Sequence, residues 1–160
     1  MTLAYVGIGS NLENPREQVK QAFDELGNIP RTRLTRKSSL YRSDPMGHAD
    51  QPEFVNAVAE LDSTLSPLEI LRQLKQIENL HGRERSFPNA PRTLDLDLLL
   101  FEKRIFRHSD LTLPHPRMHE RAFVLKPLLE IAPDAFIPGI GPAKTSLEKI
   151  SLQKAERIGG

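Results

Sequence analysis

The chain has 160 residues, of which 38% are hydrophobic and 27% charged, so it is expected to form one domain with a sizeable core. It contains no cysteine, which excludes disulfides, thiolate catalysis and cysteine-ligated zinc. The formal net charge of +1 provides no overall field for nucleic acid or a membrane surface. Neither a membrane span nor a signal peptide is recognisable, so a cytoplasmic protein is expected.

Six segments with strand or helix patterns follow one another from the N-terminus. In chain order they are a strand at 3–9, a helix at 14–27, a polar extended segment at 33–43, a strand at 54–61, a helix at 66–82 and a strand at 94–101. Asn14 and Ser66 are the predicted N-caps of the helices, each followed by proline and by glutamate three residues on. Gly27 and Gly82 are the predicted stops.

The order β-α-β-β-α-β predicts an α+β protein with a ferredoxin-like split core, in which helices pack on an antiparallel sheet. A single domain is expected over residues 1–160, with its core at about 3–136 and a further short helix near 117–131. Residues 137–160 form a C-terminal extension with few apolar anchors, and loose packing is expected there. This fold hosts many unrelated functions, so the function must come from a site.

The last predicted strand, in "PRTLDLDLLLF", carries two carboxylates two residues apart, Asp95 and Asp97. In a strand they share one face, with Cα atoms about 6–7 Å apart. At an effective dielectric constant near 20 they repel by roughly 2–3 kcal/mol, and a divalent cation between them reverses the sign. Oxygen ligands favour Mg²⁺, which is commonly held by one or two carboxylates together with substrate phosphates. The alternative is the solvated face of an edge strand.

A loop rich in arginine precedes this strand. The segment "GRERSFPNAPR" carries Arg83, Arg85 and Arg92 among glycine and proline residues. Guanidinium groups bind phosphate oxygens bidentately, so a magnesium pair beside this loop indicates phosphoryl transfer. The alternative is an exposed loop that its charges keep soluble.

Two glycine-containing segments lack the signatures of nucleotide-binding loops. "GIGPAKTS" has Ala143 where a P-loop has glycine, and "GIGSNL" has Leu12 where a dinucleotide fingerprint has its third glycine. The glycines of "GIGSNL" are expected to let the chain turn at a strand end.

Together with "PRTLDLDLLLF", the blocks "GIGSNL", "YRSDPMGHADQPEFVNAV" and "LTLPHPRMHERAFVLKPLLEIAP" resemble the 6-hydroxymethyl-7,8-dihydropterin pyrophosphokinase family of folate biosynthesis, over about residues 3–136. The resemblance implies a ferredoxin-like core. It also implies transfer of pyrophosphate from ATP to the hydroxymethyl group of the pterin, with release of AMP. The partners implied are ATP and a reduced hydroxymethylpterin, with no nucleic acid, no membrane and a monomeric chain.

The resemblance also implies a role for individual residues. Asp95 and Asp97 would hold two Mg²⁺ ions bound with ATP, and Arg83 and Arg92 would act as catalytic residues on the triphosphate. The pterin-binding set would be Ser43, Asp44, Met46, Phe54, Asn56 and Phe123, with the pterin stacked between the two phenylalanines. The ATP-binding set would be Leu71, Glu78, Arg85, Leu98, Thr112, His115 and Arg121.

Two other functions remain compatible with the residues. One is a different magnesium-dependent nucleotide transferase with a D-x-D motif, such as a glycosyltransferase, although such domains normally need a longer chain. The other is a non-catalytic ferredoxin-like module that binds nucleic acid. Such a module would need exposed aromatics and a basic surface, whereas aromatic residues make up only 6% of this chain.

Overall fold

The computed structural model describes residues 1–11, 14–43, 54–82 and 94–159. The elements in these ranges are, in order, β1 (Thr2–Ser10), α1 (Pro15–Gly27), β2 (Thr32–Lys37), β3 (Leu40–Ser43), β4 (Phe54–Ser63), α2 (Pro67–Leu80), β5 (Asp95–Phe101), β6 (Phe106–His108), β7 (Leu111–Leu113), a 3-10 turn (Met118–Glu120), α3 (Ala122–Ile131), β8 (Phe136–Ile137), β9 (Gly141–Pro142), α4 (Ala143–Lys149) and β10 (Glu156–Gly159).

Six of these strands form one antiparallel sheet with β4 near its centre. Strand β1 pairs with one edge of β4 over its whole length, and β2 and β3 share the other edge. Strand β5 pairs with the free edge of β1, and β10 pairs with β3. The sheet order is therefore β10-β3-β4-β1-β5, with β2 also beside β4. The predicted mixture of helices with an antiparallel sheet is confirmed.

The segment predicted as extended at 33–43 is divided into β2 and β3 by a break at Ser38 and Ser39. Ser38 bonds twice to Val58 of β4, since its N–H donates to the Val58 carbonyl and its Oγ accepts from the Val58 N–H, both at 2.9 Å. This break lets β2 follow the C-terminal half of β4 while β3 follows the N-terminal half.

The two predicted helix starts have different outcomes. Ser66 forms the predicted capping box of α2, because its Oγ accepts from the Glu69 N–H at 3.3 Å and Glu69 Oε1 accepts from the Ser66 N–H at 2.9 Å. Helix α1 begins at Pro15 as expected, but Asn14 has φ 60° and makes no side-chain cap bond. A capping side chain reaches the first turn from an extended backbone, so the predicted Asn14 cap is wrong.

The sheet has an apolar core on each face. Helices α1 and α2 cover one face, where the buried side chains include Val6, Ile8, Phe23, Leu26, Leu74, Leu96 and Leu98. Helix α3 covers the other face and α4 packs against α3, and the buried side chains of this layer include Val58, Leu99, Leu100, Leu125, Leu128 and Ala143. Full burial of one such large side chain stabilises the fold by about 1.5–3 kcal/mol, so both helix layers are held by this packing.

The C-terminal segment is packed, which differs from the loose packing expected for residues 137–160. Gln153 bonds to the start of α3, accepting from the Ala122 N–H at 2.9 Å and donating to the Glu120 carbonyl at 2.8 Å. Lys126 donates to the carbonyl of the buried Ala155 at 2.8 Å, and β10 then joins the sheet. The fully buried Ile137 and the partly buried Leu147, Ile150 and Ile158 add apolar contacts to these bonds, so the expectation of few apolar anchors is wrong.

Candidate active site

The carboxylates of Asp95 and Asp97 lie on one face of strand β5, as the sequence predicted. Leu96 and Leu98 point to the other face and are buried under α1 and α2. Asp95 is half-buried and Asp97 is exposed. The alternation of leucine and aspartate therefore separates a core face from a polar face at the edge of the sheet.

Two glycines of strand β1 lie beside the two aspartates. Gly7 and Gly9 of β1 are the register partners of Asp97 and Asp95, and Gly9 also pairs with Asn56 of β4. A Cβ on Gly9 would lie 3.2 Å from Asn56 Oδ1. Both glycines lie within the nine-residue strand β1, so the expected turn at a strand end is wrong. Their spacing of two could have shown that both lie on one face of β1, and the pairing register makes this the aspartate face.

Leu99 interrupts the pairing of β5 with β1 and links this edge to the segment after β7. The register of β5 shifts by one residue here, which leaves Leu99 without a partner in β1, as in a β-bulge. Its side chain enters the core under α3, while its carbonyl accepts a hydrogen bond from the His115 N–H at 2.9 Å. The bulge thus holds His115 next to the aspartate strand.

His115 is held as a neutral imidazole beside Asp97. Burial lowers the pKa of His115, the Asp97 carboxylate opposes this shift, and Arg121 and Arg117 add to it. The His115 Nδ1 accepts from the Arg117 N–H at 3.1 Å, so the neutral ring carries its proton on Nε2. The site therefore presents a fixed N–H donor near Asp97, suited to an oxygen of an anionic substrate.

Ser43, Phe54, Asn56 and Phe123, the described members of the expected pterin set, belong to the same side of the sheet. Phe54 and Asn56 are two residues apart on β4, and Phe123 is half-buried against the core under α3. The Asn56 Nδ2 donates to Ser43 Oγ at 2.8 Å, which fixes the orientation of the amide. Arg121 Cζ lies 5.7 Å from the centre of the Phe123 ring, a cation–π contact.

The described ATP-side residues are divided between the two faces of the sheet. His115 and Arg121 lie on the aspartate side, and Thr112 is exposed on β7. Leu98 is buried in the core under α1 and α2, and Leu71 is half-buried on α2. The structure therefore does not bring Leu71 and Leu98 onto the carboxylate face.

Glu78 of α2 supports the strand that carries the aspartates. Its side chain is buried, and its Oε2 accepts from the N–H of Leu96, the residue between Asp95 and Asp97, at 2.8 Å. A hydrogen bond of this kind contributes about 0.5–1.5 kcal/mol. Glu78 therefore holds the backbone at the point where both carboxylates begin.

Five of the expected site residues lie outside the described residues. They are Asp44, Met46, Arg83, Arg85 and Arg92.

The chemistry of the donors near β5 fits a hard divalent cation that binds with a nucleotide. Within the described part of the chain, no group of three or more histidine, cysteine, aspartate or glutamate side chains could hold a metal. Asp95 and Asp97 supply two carboxylates on one face, and their register partners Gly9 and Gly7 carry no side chain there. Two carboxylates completed by water and phosphate oxygens are a usual environment for Mg²⁺ in proteins.

The chain is similar to proteins of one known family. The model of the family described as 7,8-dihydro-6-hydroxymethylpterin-pyrophosphokinase (HPPK) matches residues 5–133. A 2-amino-4-hydroxy-6-hydroxymethyldihydropteridine pyrophosphokinase of Pseudomonas aeruginosa is 47% identical over 98% of this chain and 96% of its own length. A protein of the same name from Haemophilus influenzae is 46% identical over 86% of each chain.

A solved structure shows the same fold. The wild-type HPPK-DHPS crystal structure of Plasmodium falciparum superimposes with a TM-score of 0.69 over 92% of this chain, at 14% sequence identity. This chain covers 41% of that longer protein, so the likeness concerns one part of it. From the family match and the two bacterial relatives we conclude that the chain belongs to the 7,8-dihydro-6-hydroxymethylpterin-pyrophosphokinase family of ATP-dependent diphosphotransferases.

Proposed function

We propose that this chain transfers the pyrophosphoryl group of ATP to the hydroxymethyl group of 6-hydroxymethyl-7,8-dihydropterin, with release of AMP, in folate biosynthesis. The observation that carries this proposal is the row Asp95–Gly9–Asn56 across three neighbouring strands. Strands lie about 4.8 Å apart, so the two side chains start about 10 Å from each other with only glycine between them. ATP phosphates at Asp95 would therefore lie beside a pterin at Asn56.

Asp95 and Asp97 hold the divalent metal in this proposal. Enzymes of this family use ATP and a divalent metal. We assign two Mg²⁺ ions to this pair, bound together with ATP. When bound, the cations offset the charge of the phosphates and of the leaving group. To bind the metal, both carboxylates must stay on the same face of β5. Leu96 and Leu98 hold the strand in that orientation by packing in the core on its other face.

Asn56, Phe54 and Phe123 bind the pterin in this proposal. A flat heterocycle is held by stacking between aromatic rings and by a few fixed hydrogen bonds. Because Asn56 Nδ2 donates to Ser43, its Oδ1 is turned toward other donors and can accept from the N–H groups of the pterin edge. We assign Asp44 and Met46 to the same edge through the resemblance.

His115 and Arg121 bind the phosphates as donors, with Arg83, Arg85 and Arg92 assigned to the triphosphate through the resemblance. The Nε2–H of neutral His115 donates without adding a positive charge. The remaining ATP-side residues are Leu71, Glu78, Leu98 and Thr112. Of these, Glu78 accepts a hydrogen bond from the backbone of strand β5, and Leu98 packs in the core on the opposite face from the aspartates.

The pterin hydroxyl attacks the β-phosphorus of ATP in line: its oxygen forms the new P–O bond and gives its proton to water. The bond from the β-phosphorus to the oxygen that bridges it to the α-phosphate breaks, and AMP leaves with the electrons of that bond. None of the described side chains on the aspartate face is an obvious base, since His115 is close to Asp97 but its Nδ1 already accepts from Arg117. Catalysis then depends on positioning the two substrates and on stabilising charge at the transferred group.

The finer classification of the fold and the cellular setting are part of the same proposal. Counting β2 and β3 as one interrupted strand, the core follows the ferredoxin-like split β-α-β-β-α-β order. No helix of the described residues could cross a membrane. We propose a monomer that acts in the cytoplasm, and the net charge of +1 supports the absence of a nucleic-acid partner.

Formation of AMP tests the proposed function directly. The protein, ATP and Mg²⁺ should yield AMP only when reduced hydroxymethylpterin is added, in equal amounts with the pyrophosphorylated pterin. A different magnesium-dependent transferase or a nucleic-acid module would form no AMP under these conditions. Release of ADP, or AMP formation independent of the pterin, would contradict the proposal.

A further inference from the structure

A carboxylate of α3 ties this helix to the start of strand β3. The Oε1 of Glu130 accepts from Tyr41 Oη at 2.7 Å and from the Ser39 N–H at 3.0 Å. Its Oε2 accepts from the same N–H at 3.0 Å and from Ser39 Oγ at 2.9 Å. Ser39 and Tyr41 are buried, whereas Glu130 lies at the surface. One exposed glutamate thus provides the acceptors for two buried residues.

Both ends of this link lead to residues that the proposed function assigns to the pterin. Tyr41 is the register partner of Asn56, and Ser43, two residues further along β3, accepts from the Asn56 amide. Phe123 precedes Glu130 by seven residues on α3, which is two helical turns, or about 10 Å, on the same side of the helix. Glu130 therefore joins the element that carries Phe123 to the strand that orients Asn56.

We propose that Glu130 is a positioning residue for the pterin, which acts by holding α3 on β3 so that Phe123 and Asn56 keep a fixed separation. This inference rests on the proposed function, because it takes the two residues as parts of one pterin site. Stacking loses about a quarter to a half of its dispersion energy when a gap of about 0.5–1 Å opens between the rings. A bond that sets the separation of helix and strand thereby sets pterin affinity without touching the pterin.

The protonation states of Tyr41 and Glu130 keep this link formed at neutral pH. Burial raises the pKa of the Tyr41 hydroxyl, and its bond to Glu130 raises it further, so the hydroxyl stays a donor. Burial opposes ionisation of Glu130, but the hydrogen bonds from Tyr41 and Ser39 prevail and lower the pKa of its carboxyl. At neutral pH the link therefore joins an ionised acceptor to neutral donors, the stronger kind of hydrogen bond.

A second tyrosine–glutamate pair in the same sheet serves as a matched control. The hydroxyl of Tyr5 on β1 donates to Glu60 Oε2 on β4 at 2.6 Å, and burial likewise raises the pKa of Tyr5. These two residues are register partners four positions along β4 from Asn56. Removing either tyrosine hydroxyl eliminates one hydrogen bond to a glutamate. Of these two bonds, the one from Tyr41 connects α3 to β3, and the one from Tyr5 connects β1 to β4.

The test compares Tyr41→Phe and Tyr5→Phe, with Glu130→Gln as the second variant of the link. Calorimetry measures the Kd of the pterin in the presence of Mg²⁺ and a non-hydrolysable ATP analogue, and the Kd of the analogue by itself. We expect Tyr41→Phe to raise the pterin Kd about fivefold, the effect of one net hydrogen bond, and Glu130→Gln to raise it more. The analogue Kd should stay within about twofold in all variants, and Tyr5→Phe should leave the pterin Kd unchanged.

Steady-state kinetics and thermal melting complete the experiment. In Tyr41→Phe the KM for the pterin should rise while kcat at saturating pterin stays near the wild-type value. If the pterin Kd is unchanged in both Tyr41→Phe and Glu130→Gln, the inference is overturned. It is also overturned if Tyr5→Phe raises the pterin Kd as much as Tyr41→Phe does while lowering Tm by a similar amount. Wild-type protein that neither binds the pterin nor forms AMP would instead overturn the proposed function, and the inference with it.

Discussion

Gly9 and Asn56 lie side by side on neighbouring strands, so close that a Cβ on Gly9 would lie 3.2 Å from Asn56 Oδ1. The amide of Asn56 cannot easily move away, because its Nδ2 donates to Ser43 Oγ at 2.8 Å. The glycine thus keeps open the space in which Asn56 presents its oxygen.

We expect Gly9→Ala to weaken pterin binding, because the new methyl group would push the Asn56 amide by a few tenths of an ångström. The loss should be about 1 kcal/mol, near fivefold in Kd, while ATP-analogue binding is retained. Calorimetry measures both affinities. Gly7→Ala is the matched control, since the atoms nearest to its Cβ would be those of the Leu99 side chain, at 3.4 Å, and not those of Asn56. Equal effects of the two substitutions would refute the role of this space.

Asp97→Asn and Asp95→Asn should each nearly abolish AMP formation, because a single carboxylate leaves the divalent cation with too few fixed ligands. In the absence of Mg²⁺ both variants should melt no lower than wild type, since removing one charge relieves repulsion within the pair. Thermal melts should also show loss of the stabilisation that Mg²⁺ and an ATP analogue confer on wild type. Asp24→Asn on the exposed side of α1 is the control. Full ligand stabilisation in either variant would make the pair structural.

Glu78→Ala should affect the metal-dependent part of nucleotide binding. It leaves the N–H of Leu96 unpaired under strand β5, which should cost about 1–3 kcal/mol of unfolding free energy. Because Leu96 lies between the aspartates, the affinity for an ATP analogue should fall with Mg²⁺ present and change little without it. Glu78→Gln, which keeps an acceptor, should restore much of both quantities. A similar loss of affinity without Mg²⁺ would mean that Glu78 contacts the nucleotide directly.

The contribution of Glu130 to stability should depend on pH. Its pKa is lowered in the folded protein, so the unfolded state binds the proton more readily and stability falls as the solution becomes acidic. The advantage of wild type over Glu130→Gln should be complete at pH 7. It should then shrink below the ordinary glutamate value of about 4.3, as the unfolded carboxyl takes up a proton, and it should be lost once the folded carboxyl is protonated as well.

Urea denaturation from pH 7 to pH 3.5 measures this difference. Glu148→Gln, at an exposed position of α4, is the control for replacing a glutamate by glutamine elsewhere in the chain. An advantage over Glu130→Gln that is constant over the whole range would show that the carboxylate charge does not matter.

Local patterns in the sequence were sufficient for the helices and strands from β1 to β5, apart from the break at Ser38, and for the polar face of strand β5. They did not indicate β6 to β10 or α4. The alternation of Leu94, Asp95, Leu96 and Asp97 predicts which side chains are buried, because successive residues of a strand point to opposite faces. The Ser66 capping box also depends only on residues within one turn. Site residues could be named from the sequence because they lie in distinctive blocks that resemble a known family.

Tertiary structure decided what depends on contacts between distant parts of the chain. The break at Ser38 is set by its bonds to Val58, and the role of Gly9 is set by Asn56 on a neighbouring strand. The link from Glu130 to Tyr41 spans 89 residues, and no local pattern records it. Propensity and periodicity describe a residue and its neighbours in sequence, whereas register, bulges and side-chain bonds between elements exist only once the sheet has formed.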